Sequence, residues 1–121
     1  MSFEMPEGKL YDLTMIKEIA HGNNDFVKKM MQLFLDTIPP ALSEMNQHIA
    51  DANWPSLGAV AHKIKPSIDT MGIDLLKEDI RTLEKNGKDS INLDDIQPLM
   101  SKLELVIGRI FEQIREEMST M

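Results

Sequence analysis

The sequence predicts an all-α protein, an antiparallel four-helix bundle with a short extra helix at its N-terminus. Apolar residues recur at threes and fours through almost the whole chain, strand-like alternation of useful length is absent, and the breaks carry helix-stop and helix-start residues. The 121 residues suit one domain spanning 1–121, with the bundle itself at about 10–118. Hydrophobic residues make up 42%, enough for a packed core and too many for a disordered chain.

The first helix is expected from Leu13 to Ala20, capped by Asp12 and closed by His21-Gly22, where the chain must turn through a positive φ. A long second helix starts at Asn23 or Asn24 and runs towards Asp51, burying Phe26, Met30, Leu33, Phe34 and Ile38. Pro39-Pro40 removes two backbone donors, which predicts a kink. Beyond it Ala41, Leu42, Met45 and Ile49 continue on a rotated face. The third helix opens at Asn53 or Trp54 before Pro55, a residue suited to a first turn, and ends near Thr70 with Gly72 beyond. Asp74 is expected to cap the fourth, which carries Leu75, Leu76, Ile80 and Leu83 and stops at Asn86-Gly87. A polar connection, Lys88 to Asn92, leads to the last helix. Asp94 or Asp95 caps it, Pro98 sits in its first turn, and Leu99, Leu103, Val106, Ile107, Ile110, Phe111 and Ile114 form its stripe. Four amphipathic helices joined by short turns bury their stripes most economically as an antiparallel bundle, with the first helix across one end. The ten methionines, among them Met15, Met30, Met45, Met71 and Met100, read as core filler.

Composition narrows the function. A net charge of −7 argues against nucleic acid as the partner, because phosphate backbones are bound by clustered cations. No apolar run approaches the roughly 20 residues that span a bilayer, so no membrane partner is expected. The start at Met1 lacks the regions of a signal peptide and suggests a free-standing protein. With zero cysteines there is no thiol chemistry, and a reducing cytoplasm suits the chain. No surplus apolar stripe demands a second copy, so a monomer is expected.

Three histidines titrate naturally near neutral pH. His21 lies in Glu18-x-x-His21, the spacing of carboxylate-bridged di-iron bundles, but those need two such motifs and this chain has one. It also precedes a glycine stop, where a histidine complements the helix C-terminus. His48 lies among polar neighbours and reads as a surface residue. His62 differs. On a helix turning roughly 100° per residue, Leu57, Val60, Ala61, Ile64, Ile68 and Met71 form one stripe, and His62 points about 150° away from its centre. Gly58, Ala59 and Pro66 are expected to surround it on the outer face with little bulk, leaving the imidazole open to another protein. Lys65, three residues on, is placed to offset charge gained at His62. An unprotonated imidazole nitrogen is a competent nucleophile near neutral pH.

The stretch Ala61-His62-Lys63-Ile64-Lys65-Pro66-Ser67-Ile68-Asp69-Thr70-Met71-Gly72 resembles the signature of histidine phosphotransfer (HPt) domains. The helix order resembles that family too, over roughly Leu10 to Met118. The resemblance implies His62 as phospho-acceptor, Ile64 as its apolar neighbour, Lys65 as the charge-balancing cation and Gly72 as the terminating glycine. It implies as partners the receiver domains of response regulators or of a hybrid histidine kinase. Mg²⁺ would be held by the receiver and no cofactor or metal by this chain, which makes it a phosphocarrier rather than an enzyme. The docking face would comprise Gly58, Ala59, Pro66 and Asp69, with Asn24, Lys28 and Lys29 contributing from the second helix, while Lys63 reads as a solvated flank. One position departs from the pattern: Pro66 stands where the family usually has glycine. Its missing N–H predicts a kink between His62 and Pro66. Two other readings stand beside this one, a helical adaptor that is never phosphorylated and a metal-dependent bundle oxidase using Glu18 and His21.

Overall fold

The computed structural model, which describes residues 3–121, has five α-helices, two of which carry an expected asparagine side-chain cap. The chain's first residues, Met1 and Ser2, lie outside the described part. Helix α1 (Thr14–Ala20) starts where Asp12 Oδ1 accepts from the Thr14 amide at 2.9 Å, and closes through His21 and Gly22 at φ 50° and 83°. Helix α2 (Asn24–Ala50) is capped by Asn23, whose side chain accepts from Phe26 N. Helix α3 (Trp54–Thr70) is capped by Asn53, with Pro55 in the first turn. Helix α4 spans Asp74–Asp89, and after a single 3-10 turn (Leu93–Asp95) helix α5 spans Ile96–Ser119. Asp74 sits inside the first turn of α4, where its charge favours the helix N-terminus, rather than at the capping position. No strand occurs among the described residues.

The four long helices form an all-α bundle. Helix α2 packs on α3 and α5, α4 packs on α3 and α5, and α1 lies against α2. One continuous core fills the centre, including Met31, Ile38, Met45, Leu57, Ile68, Leu76, Leu83, Met100 and Ile110. The segment before α1 is strapped to this bundle. Leu10 N donates to Gln113 Oε1 at 2.9 Å, Gln113 donates to the Gly8 carbonyl, and Lys9 and the Tyr11 hydroxyl both meet Glu117. Burial, reinforced by Glu117, pushes the Tyr11 phenol well above its ordinary value.

Three expectations are corrected. The prolines do not break α2, which runs unbroken through Pro39 and Pro40. Its buried residues Val27, Met31, Phe34, Ile38, Ala41 and Met45 hold one seam with alternating steps of four and three, so no rotated face follows the prolines. Both prolines are exposed, where water can satisfy the carbonyls they free. The buried face also differs in its first turns: Val27 and Met31 are buried in place of the expected Phe26 and Met30, which are only half-buried, and Leu33 is 52% exposed, while Phe34 and Ile38 are buried as expected. Met15 likewise is 49% exposed rather than core. Third, α4 does not stop at Gly87 but ends at Ser90, which takes the left-handed conformation at φ 52°.

Gly87 has a different task, shared with Gly58. Each is buried inside its helix, and the two backbones meet there. A Cβ on Gly58 would lie 2.6 Å from Lys88 N and 2.8 Å from the Glu84 carbonyl oxygen. A Cβ on Gly87 would lie 2.7 Å from Gly58 N and from the Trp54 carbonyl oxygen. All are backbone atoms, so nothing can swing aside. Gly58 is therefore not part of an exposed face around His62, as the sequence suggested. It is the contact that lets α3 and α4 cross closely.

A pair of substitutions checks this through opposite signs. Gly108, in α5, has open space around the same position. Gly108→Ala should stabilise the fold by about 0.5–1 kcal/mol through helix propensity alone. Gly58→Ala should destabilise it by about 1–3 kcal/mol, because overpacking outweighs the same propensity gain. Urea denaturation of the two variants reads both, and equal stabilisation would refute the close crossing.

Candidate functional site

One helical turn beyond the glycine crossing, the two helices place their chemistry side by side. His62 follows Gly58 by four residues on α3, and Glu84 precedes Gly87 by three on α4, so both lie on the same side of the contact. The stripe Leu57, Val60, Ala61, Ile64, Ile68 and Met71 is buried, and the His62 side chain on the opposite face is 71% exposed. Helix α3 remains helical through Pro66, which is itself exposed.

Glu84 spans the seam with both oxygens. His62 Nδ1 donates to Oε2, and Lys65 Nζ donates to Oε1 at 2.8 Å. A carboxylate only accepts, so the Nδ1 position carries a proton, and in the neutral ring Nε2 keeps its lone pair. Nε2 has no protein partner among the described residues. The Lys65 hydrogen bond, with a smaller one from His62, holds the Glu84 carboxyl below the usual range against an opposing effect of partial burial. Lys65 is thus anchored beside the imidazole by a carboxylate from another helix.

Further along the same seam, Arg81 grips Asp69 through both nitrogens of its fork, at 2.7 and 3.1 Å, and also donates to the Lys77 carbonyl. The Arg81 hydrogen bonds keep the Asp69 carboxyl below its ordinary value. Asp69 is therefore a half-buried partner of α4 rather than a free part of the face around His62.

On the other flank of α3 an apolar groove of about 530 Å³ runs between α2 and α3. Leu33, Thr37 and Pro40 line it from α2, and Lys63, Pro66 and Ser67 from α3. The groove sets Met30 to Ala41 of α2 beside Lys63 to Met71 of the antiparallel α3. His62 is thus level with the Pro40 region, and Asn24, Lys28 and Lys29 lie about 16 Å or more further along the α2 axis, too far to flank it. Ala59 and Pro66 are exposed as expected, and Lys63 is an exposed flank. Glu18 and His21 are both exposed, and no three His, Asp or Glu side chains among the described residues lie close enough to hold a metal.

Sequence reasoning missed Glu84. It lies 22 residues from His62 in the chain, and only the helix crossing brings it near. A legible signal existed in Gly58 and Gly87, two glycines inside helices and each costly to helix propensity, which mark a close approach.

The family model of the Hpt domain matches residues 29–120. The chain belongs to the Hpt domain family. Such domains perform histidine phosphotransfer in the phosphorelays of two-component signalling, working with receiver domains as phosphocarriers. A curated relative, the signal transduction histidine-protein kinase BarA of Shigella flexneri, is 24% identical over 84 residues, covering 69% of this chain and 9% of that kinase. The Hpt match therefore takes in most of α2 and all of α3 to α5, while the N-terminal strap and α1 precede it. No solved structure matches the chain. No helix among the described residues of this Hpt domain is long and apolar enough to cross a membrane.

The shared carboxylate gives a pH signature. Glu84 has a lowered value in the folded state, so its contribution to stability is complete above the unfolded carboxylate range and is lost as pH falls through the folded value. Glu84→Gln should lower stability at neutral pH, and the deficit should close as pH drops through that window. Urea denaturation across a pH series checks this. A deficit independent of pH would show that Glu84 acts through packing rather than charge.

Proposed function

We propose that His62 is the phospho-acceptor of this Hpt domain, taking a phosphoryl group on Nε2 from a receiver's aspartyl phosphate and passing it to another receiver. The observation that supports this most is the exposed imidazole with Nδ1 tied to Glu84, which leaves a lone pair on the outward nitrogen. In the forward step that lone pair attacks phosphorus, the bond from phosphorus to the aspartyl oxygen breaks, and the carboxylate leaves with the bonding electrons. The ring keeps its Nδ1 proton and becomes cationic, a charge that Glu84 offsets. Lys65 stands one turn away to neutralise the phosphoryl oxygens, which bring about −1.5 to −2 charge at neutral pH.

Phosphoryl transfer depends mainly on positioning and charge neutralisation. This chain supplies the nucleophile, its tautomer and one cation, while the receiver supplies the metal and the remaining groups. We assign the receiver's docking surface to Ala59, Pro66 and the groove between α2 and α3, whose exposed Leu33 and Pro40 continue the face that carries His62. A monomeric carrier working in the cytoplasm fits this role.

Incubation with a phosphorylated receiver should yield an acid-labile, alkali-stable label on the wild type and none on His62→Gln. Glu84→Gln should still accept the group, at a rate lowered about tenfold or more, as expected for losing one charge-assisted hydrogen bond. Equal labelling of His62→Gln would remove His62 from the relay and leave a helical adaptor.

A further inference from the structure

The seam between α3 and α4 carries two ion pairs in register, and the transfer chemistry uses only one. Lys65 and Asp69 are four residues apart on α3, and Arg81 and Glu84 are three apart on α4, so each like-helix pair occupies neighbouring turns. In the empty domain Lys65 holds Glu84 and Arg81 holds Asp69. The four charges cancel, and His62 adds none in the tautomer described above.

Loading His62 breaks this balance. A phosphoryl group on Nε2 brings about two negative charges against the one positive charge gained by the ring, so the site becomes net negative and Lys65 is drawn from Glu84 towards the phosphoryl oxygens. We propose that Arg81 is a positioning residue for the loaded state: Lys65 turns to the phosphoryl group, Arg81 passes from Asp69 to Glu84, and Asp69 is released to solvent. This rests on His62 being the acceptor and adds how the domain accommodates the charge.

The geometry favours Arg81 for this exchange over the other cations nearby. Its guanidinium already feels the Glu84 charge from the adjacent turn of α4. Its five donors in a flat fork can take a second carboxylate while the Lys77 carbonyl keeps one of them. Lys77 and Lys85 flank the pair on α4 but are exposed and make no ion pair among the described residues. Asp69 can be released without being stranded, since it is only half-buried. The consequence is a surface that differs between empty and loaded domains: a carboxylate appears on the α3–α4 face when His62 carries its group. A receiver meeting that face would encounter a different charge pattern before and after transfer.

The test loads the whole chain with phosphoramidate, a small donor that needs no receiver, and follows the Arg81 Nε–Hε signal by ¹H–¹⁵N NMR in the wild type and in Asp69→Asn. In the empty state the two proteins should differ strongly at Arg81, because its partner has lost charge. On loading, the wild-type signal should move, and the difference between the two proteins should fall by more than half. A wild-type signal unmoved by loading, or a difference that persists undiminished, overturns the exchange and leaves Arg81 a structural clasp. A ³¹P signal of protein-bound phosphohistidine, distinct from that of the donor and missing in His62→Gln, confirms loading in the same samples; its absence from the wild type would instead overturn His62 as the acceptor.

Discussion

Two backbones in contact at Gly58 and Gly87 set the rest of this structure. Helices held apart by ordinary side chains would leave Glu84 short of the imidazole, and His62 would be a surface histidine beside a surface lysine. With glycine on both sides the crossing is close enough for one carboxylate to reach across and take hold of both. The chain gives up helix propensity at two interior positions to gain this, roughly 1 kcal/mol each relative to alanine. The packing of α3 on α4 and the preparation of the nucleophile are therefore one feature seen at two distances from the same contact.

The bundle divides the surroundings of His62 between two flanks. On the α4 side lie charges in pairs, Lys65 with Glu84 and Arg81 with Asp69, which in the proposed transfer prepare the imidazole and compensate what it receives. On the α2 side lies an apolar groove with little charge, edged by Lys63 and Asp36 and bordered by exposed Leu33 and Pro40. Under the proposed docking surface, chemistry and recognition are separated across one helix, and a change on the groove side should alter which partner binds without disturbing the tautomer of the ring. Pro66 belongs to this second flank. It leaves α3 helical and adds an apolar edge to the groove.

Much of the fold was legible in the sequence because helix ends carry their own chemistry. Asn23, Asn53 and Asp12 accept from the first-turn amides, and His21, Gly22 and Gly72 take positive φ where the chain must reverse. The orientation of His62 followed from rotation alone. The face of α2 did not, because Phe26, Val27, Met30, Met31, Leu33, Phe34 and Leu35 offer two apolar stripes one residue apart, and only packing against α3 and α5 chooses between them. Gly87 looked like a helix stop because a glycine near a polar stretch usually is one. Its real partner, Gly58, is 29 positions away along the chain. Glu84 was invisible for the same reason, since spacing within one helix says nothing about a side chain arriving from another.

The central claim is that Glu84 fixes the proton of His62 on Nδ1 and leaves Nε2 as the nucleophile. Long-range ¹H–¹⁵N correlation of the neutral histidine ring, recorded at alkaline pH, reads this directly. A protonated Nδ1 and an unprotonated Nε2 are expected in the wild type, with the preference weakened in Glu84→Gln. A ring protonated on Nε2, or an even mixture unaffected by Glu84→Gln, would contradict the account.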